Sequence, residues 1–248
     1  MSEWAAKRFW TRAEPAETAG GYGVRLDGRA VRTPARAELR VPTHALAAEI
    51  AAEWDAQEGT IRPVTMPMTC AANAAIDRVA READAVAEML AAYGETDLLC
   101  YRAESPAELA ARQAAAWDPL LDWAESTFHA RLVRTTGIMP VAQDRATLDR
   151  LHAPLRLLDI WALTAAHDLV CLSGSLVIGL AALHEVAPPE TLWRTARIDE
   201  TWQEEQWGRD EEAHATAERK RAEFLAAARL FRLSRDGVAG ASGAPTNS

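Results

Sequence analysis

Cysteine is scarce: the 248-residue chain has three, Cys70, Cys100 and Cys171. They are widely spaced, odd in number and form no C-x-x-C pair, which argues against a disulfide framework and against a cysteine zinc site. A reducing compartment is the simple consequence. Long apolar runs are also missing. The longest, around 169–183, is too short to span a bilayer and is interrupted by Ser173, Gly174 and Ser175. Residues 1–8 hold neither an apolar signal core nor an Arg/Ser-rich, acid-poor presequence. The sequence thus predicts a soluble, intracellular protein with no membrane insertion. Positive charge is in short supply, because 27 Lys and Arg against 36 Asp and Glu leave a formal charge of −9. Nucleic acid and anionic membranes demand a concentrated basic surface, so a basic or apolar protein surface is the better partner. There is no G-x-G-x-x-G, no Walker-type loop, no G-x-S-x-G and no H-E-x-x-H, which leaves no signature for a cofactor, a nucleotide or a nucleophile.

What is present divides the chain. Tyr22, Val24 and Leu26 alternate with Gly23 and Arg25 ahead of Asp27-Gly28, a strong two-residue hairpin signal. That loop sets Leu26 opposite Arg29, Val24 opposite Val31 and Tyr22 opposite Thr33. Pro34 and Pro42 bracket a further short strand from Glu38 to Val41. Thr43 can cap a helix over 43–57, with Leu46, Ala47, Ile50, Ala51 and Trp54 completing an apolar stripe. The two prolines of 61–68 predict an extended linker. Helical patterns then dominate, at 72–81, at 82–93 ending at Gly94, and at about 144–166, 169–186, 189–207 and 210–231. Ser105-Pro106-Ala107-Glu108 reads as a capping box with proline at the first helical position, and Asp118-Pro119 predicts a break in that helix. The fold class is α+β: a β-rich N-terminal domain over 1–65, a larger α-helical domain over 66–233, and a disordered tail over 234–248. No heptad run marks a dimer, so a monomer is expected.

The richest segment is acidic and aromatic, 198–212. At ~100° per residue, a helix here would place Trp193, Glu200, Glu204 and Trp207 on one face and Ile198 with Trp202 on the other. A helix burying one stripe has no use for large rings on both sides, so it lies between two layers or keeps a face for another protein. Nine tryptophans against four phenylalanines sharpen the question. Trp117, Trp123 and Trp161 suit the core, whereas Trp202 and Trp207 divide evenly between core and interface. By itself the run Glu204, Glu205, Asp210, Glu211 and Glu212 would be a solvated face. The competing enzymatic reading is a helical-bundle metal site. Asp149-x-x-His152 and Glu211-x-x-His214 each set a carboxylate and an imidazole on one helical face, with Glu125 and Glu185 available as further ligands. That spacing arises readily by chance on charged helices. His44, His129, His167 and His184 read as surface or capping residues, and Ser173-Gly174-Ser175 as small residues for close helix packing.

Several motifs together resemble one family, the assembly chaperone of the ATP synthase catalytic sector that binds its alpha subunit. Glu53-Trp54-Asp55-Ala56-Gln57, and Met66-Pro67-x-Thr69 with Asn73 and Asp77, are similar to its N-terminal half. Asp97 to Arg102 and Trp117 to Trp123 are similar to its middle. Asp199-Glu200-x-x-Gln203-x-x-x-Trp207-Gly208 resembles its most recognisable C-terminal stretch. The likeness runs from about Lys7 to Phe231. It implies a β-rich domain followed by a helical one, no enzymatic activity and no cofactor. It also implies a client, the free alpha subunit, held from aggregation until the beta subunit takes over its surface. Mitochondrial members carry a presequence, whereas this chain starts almost at the domain and is rich in alanine and arginine, so it resembles a bacterial, cytoplasmic relative. Asp199, Glu200, Gln203 and Glu204 are the expected client contacts. Trp207 joins them or instead holds the helix in place, and Trp202 is left unassigned.

Overall fold

The computed structural model describes residues 7–235, and contacts between residues divide the chain into two units. One takes in the chain through Arg81, together with Ile160–Thr164 and the stretch from Arg229 on. The other comprises Glu82–Asp159 and Ala165–Ala228. In chain order short strands come first and a larger set of helices follows, which is the α+β class.

In the first unit, β1 (Ala13–Thr18), β2 (Gly21–Leu26), β3 (Arg29–Ala30) and β4 (Arg40–Val41) form an antiparallel sheet. Asp27 and Gly28 take φ values of +46° and +83°, the left-handed pair that a tight hairpin turn requires. Leu26 stands opposite Arg29, and Val31 N–H donates to Val24 O at 2.9 Å, as the sequence predicts. The register departs at Tyr22, which faces Val41 rather than Thr33. After Thr33 the chain turns on itself: Arg36 N–H donates to Thr33 O at 2.8 Å. The Asp77 carboxylate pins this turn by accepting from Thr33 Oγ1 (2.7 Å) and Ala35 N–H (3.0 Å). β1 has no counterpart in the sequence reading, because Ala-Glu-Pro-Ala-Glu-Thr carries no apolar alternation and its proline weakens a strand assignment.

α1 (His44–Asp55) starts at Thr43, whose Oγ1 accepts from Leu46 N–H at 3.1 Å while donating to Leu233 O at 2.6 Å. Leu46, Ala47, Ile50 and Ala51 are buried, and the Trp54 ring meets Trp10 edge-on at 5.2 Å, so the predicted stripe is the packed one. The stretch expected as an extended linker contains a 3-10 turn, Pro63–Thr65, and runs directly into α2 (Pro67–Ala74). A π turn, Ala75–Val79, joins α2 to α3 (Ala80–Ala91). α2 has no capping side chain of its own. Glu53 reaches over from α1 and accepts from Met68 N–H (2.6 Å), Thr69 N–H (2.8 Å) and Thr69 Oγ1 (2.7 Å). A carboxylate thus meets both the orphan donors and the positive end of a neighbouring helix. Replacing Glu53 by alanine should cost about 2 kcal/mol in urea unfolding, with Glu53→Gln losing less.

The second unit holds α4 (Ala107–Phe128), α5 (Arg145–Leu155), α7 (Leu176–Leu183), α8 (Pro189–Ala196) and α9 (Ile198–Trp207), with most of α6 (Ile160–Ser173) and α10 (Glu211–Arg235). β5 (Tyr101–Arg102) and β6 (Thr135–Thr136) pair in parallel. Two expectations about α4 are corrected. The capping box does not form: Pro106 occupies the cap without a side-chain bond, after a cis Ser105–Pro106 peptide. The helix also runs unbroken through Pro119, since Trp117, Leu120, Leu121 and Ala124 bury one stripe on both sides of it. Asp118, at the expected break, meets Arg102 at 2.7 Å and Arg134 at 3.2 Å.

The predicted helices at 144–166, 169–186 and 189–207 are divided differently. A gap separates α5 from α6, Gly174 at φ +69° separates α6 from α7, and Arg197 at φ −112° separates α8 from α9. Ser173-Gly174-Ser175 is therefore a joint rather than a packing stripe. Ser175 caps α7 by accepting from Ile178 N–H at 3.0 Å, and Asp97 lies beneath it, fully buried. The Asp97 carboxylate accepts from Ser175 Oγ (2.8 Å), Val177 N–H (3.0 Å) and Leu99 N–H (3.0 Å). Burial, helped by the charge of Asp97, pushes the Cys100 thiol up to about 12, and burial likewise raises Cys70 and Cys171. None of the three is prepared as a nucleophile. Among the described residues no helix is long and apolar enough to cross a membrane. The tail expected over 234–248 lies, beyond Arg235, outside the described residues.

Candidate partner-binding helix

The break at Arg197 decides what α9 can do. It leaves Trp193 on α8, buried with its ring 5.6 Å from Phe224, and so removes it from the face shared by Glu200 and Trp207. The Arg197 guanidinium lies 5.8 Å from the Trp193 ring centroid and reaches Glu200 at 3.6 Å and Glu204 at 3.5 Å. Asp199 and Glu200 occupy the first turn of α9, where carboxylates favour the helix dipole.

One side of α9 is fastened to α4. Ile198 is buried, and the Asp199 carboxylate accepts from Gln113 Nε2 at 2.6 Å. Trp202 lies under the Arg112 guanidinium, 4.9 Å from the ring centroid, and Arg112 reaches both carboxylate oxygens of Glu205 at 2.9 Å. Trp202, unassigned from the sequence, is thus half-buried and serves as a platform for Arg112. The other side presents Glu200, Gln203, Gln206 and Trp207 to solvent. Trp207 is 79% exposed, so the idea that it holds the helix in place is corrected: it lies in the last turn, where Gly208 at φ +88° ends the helix. Of the five residues singled out from the sequence, the structure exposes Glu200, Gln203 and Trp207. Asp199 and Glu204 are half-buried and engaged with Gln113 and Arg197. Gln113 and Arg112 escaped the sequence reading, because they sit far away in the chain, between two motifs of α4 and in neither.

The Arg112 hydrogen bond holds the Glu205 carboxyl below its ordinary 4.5, and the same bond holds Arg112 above its own ordinary value. A depressed carboxyl contributes stability above its unfolded pKa and loses it as pH falls through the folded one. Replacing Arg112 by alanine should therefore speed amide exchange across 198–207 at neutral pH while moving the melting temperature little. The wild type should show the same local loosening only at pH well below 4.5.

The metal-site candidates do not come together. Asp149 pairs with Arg145 at 3.0 Å and Glu125 with Arg131 at 3.8 Å. His152 Nε2 is buried without a hydrogen-bond partner in a cleft lined by Glu88, Glu95, Arg145, Asp149 and Arg156. Among the described residues no three His, Cys, Asp or Glu side chains gather so as to hold a metal ion. His129 and His184 close α4 and α7 as caps, and His44 packs edge-on against Tyr22 at 5.6 Å.

Residues 7–125 match the model of the ATP12 chaperone protein family. The mitochondrial protein atp12 of Schizosaccharomyces pombe is 27% identical over 220 residues, covering 84% of this chain and 76% of its own. The crystal structure of Atp12 from Paracoccus denitrificans is 48% identical, with a TM-score of 0.90 over 94% of this chain and 100% of that one. A protein from Agrobacterium tumefaciens is 38% identical, with a TM-score of 0.87 over 91% of this chain and 85% of its own. With likeness of this extent in both sequence and fold, the chain belongs to the ATP12 chaperone family and is a non-enzymatic factor of ATP synthase assembly.

Proposed function

We propose that this chaperone captures the free alpha subunit of the ATP synthase catalytic sector through the solvent face of α9, keeps it from aggregating, and yields it to the beta subunit. The observation that carries this reading is the two-sidedness of α9. Ile198, Asp199, Trp202 and Glu205 lie on its inner side, held against α4 by Gln113 and Arg112, while Glu200, Gln203 and the 79% exposed Trp207 face solvent, Glu200 touching only Arg197 at 3.6 Å. A rigid helix with an uncovered indole and carboxylates suits recognition, since tryptophan is enriched at interface hot spots and charge supplies orientation. Glu200, Gln203 and Trp207 make the contacts, and Asp199 and Glu204 set the helix. The chain acts in a bacterial cytoplasm as a monomer; the bacterial part of that reading is supported by its solved relatives from Paracoccus denitrificans and Agrobacterium tumefaciens. No nucleotide is required, because beta competes for the surface the chaperone covers.

The test is capture of purified alpha by the chain, followed by addition of beta. Alpha should stay soluble and bound, then leave when beta arrives. Glu200→Lys should weaken capture about tenfold at an unchanged melting temperature. Failure to capture free alpha, or retention of alpha in the presence of beta, would end this reading. A collapsed melting temperature in Glu200→Lys would move that residue from contact to scaffold.

A further inference from the structure

We infer that Trp207 and Glu204 form a clamp for an arginine side chain of the client, an inference that rests on the capture of alpha proposed above. The chain displays the same chemistry within itself. At four places in the described structure an arginine lies over an indole ring, and each of those arginines also meets a carboxylate. Arg8 stands 5.5 Å from the Trp10 ring centroid and 3.1 Å from Asp55. Arg102 stands 5.0 Å from that of Trp117 and 2.7 Å from Asp118. The other two surround α9: Arg112 over Trp202 with Glu205, and Arg197 over Trp193 with Glu200 and Glu204.

The recurrence has a physical cause. A guanidinium is planar and weakly hydrated, so it lies flat on the negative face of an indole while its edge N–H groups reach a carboxylate. An indole and a carboxylate side by side are therefore a receptor for arginine. Lysine fits it less well, because its compact ammonium holds its water more strongly.

Trp207 has the indole and the carboxylate without the arginine. Residues three apart on a helix are neighbours. Trp202 and Glu205, which hold Arg112, have that spacing. Glu204 and Trp207 repeat it two residues further on, about 200° round the helix and so on the opposite side. Arg197 is shared between Glu200 at 3.6 Å and Glu204 at 3.5 Å. Two carboxylates thus have one cation between them, which leaves this side of α9 negative. The nearest arginine along the chain, Arg209, meets Glu211 at 4.0 Å, and among the described residues no arginine lies over the Trp207 ring.

Charge complementarity fixes the occupant. Asp210, Glu211 and Glu212 follow closely on Trp207 in a chain of formal charge −9. A purely apolar client patch would press against these carboxylates without pairing them, which costs free energy. A client arginine covers the indole and pairs Glu204 at once.

The experiment compares capture of purified alpha by the wild-type chain, Trp207→Phe and Trp207→Leu. All three should melt alike, because the ring is exposed. Phenylalanine keeps a ring face of weaker attraction, and leucine keeps only apolar area. Capture should weaken about threefold with phenylalanine and about tenfold with leucine. Leucine as effective as tryptophan overturns the inference, since the contact would then be merely apolar, and leaves the capture reading standing. A second measurement uses two capped hexapeptides, one of Gly-Arg repeats and one of Gly-Lys repeats. Each is titrated while the Trp207 ring protons, identified by their loss in Trp207→Phe, are followed by NMR. The arginine peptide should shift them at a concentration about threefold lower than the lysine peptide, and Glu204→Gln should narrow that gap. An equal response to both peptides overturns the inference, because charge alone would explain it. A gap that Glu204→Gln leaves intact overturns it as well, since the carboxylate is half of the clamp. So does a wild-type dimer that Trp207→Leu dissolves, because a second copy would then cover the ring. A wild-type chain that captures no alpha overturns both readings.

Discussion

Replacing Asp97 by alanine is expected to lower the unfolding free energy by about 4 kcal/mol. The carboxylate is fully buried and accepts from Ser175 Oγ, Val177 N–H and Leu99 N–H. Alanine would leave all three donors without an acceptor and without water, at roughly 1–3 kcal/mol each, partly relieved by local rearrangement. It would also uncap the α6–α7 joint, where Gly174 has already interrupted the helical bonding. Asparagine keeps one acceptor but turns an amide N–H₂ toward a donor, so Asp97→Asn should fall between wild type and alanine. Urea unfolding of the three proteins checks the order. A loss below about 1 kcal/mol for alanine would mean that water replaces the carboxylate.

Gly179→Ala should cost about 2 kcal/mol, against the usual gain of alanine over glycine inside a helix. A Cβ at this position would stand 2.3 Å from Val170 Cγ2, where no pair of carbons can remain. Val170 and Gly179 are both buried, so the strain cannot be released into solvent. The informative comparison is a double-mutant cycle. Val170→Ala alone removes packing and destabilises, yet in the Gly179→Ala background it removes the clash and should recover a substantial part of the loss. Strict additivity of the two changes would show that α6 and α7 separate instead of clashing.

How much of this was legible in the sequence depended on whether the signal was local. The Asp27-Gly28 turn and the Thr43-capped stripe of α1 are written in neighbouring residues, and both appear where the pattern puts them. β1 was illegible because it is a strand by partnership: its backbone pairs with β2, while its side chains carry no alternation. Pro119 misled for the opposite reason, a strong local signal overruled by an apolar stripe that continues past it. The break at Arg197 had no proline or glycine to announce it, and it changed the reading of the candidate site most. With α8 and α9 as one helix, Trp207 shared a face with buried Trp193. With two helices, it is free of that face. The motif residues themselves were visible, but their division into anchors and exposed groups depended on Arg112 and Gln113, which lie far off in sequence on α4.

That division gives the protein a built-in optical readout. Trp10, Trp117, Trp161 and Trp193 are buried, whereas Trp207 is the one tryptophan among the large apolar residues that the described structure leaves exposed. Among the tryptophans of residues 7–235 its emission should be the longest in wavelength and the most open to collisional quenching by acrylamide, and the spectrum of the remaining indoles should change little when Trp207 is replaced by phenylalanine. A client that covers the end of α9 would shift that red component toward the blue and shield it from the quencher. Capture and release could then be followed in real time on the unlabelled chain.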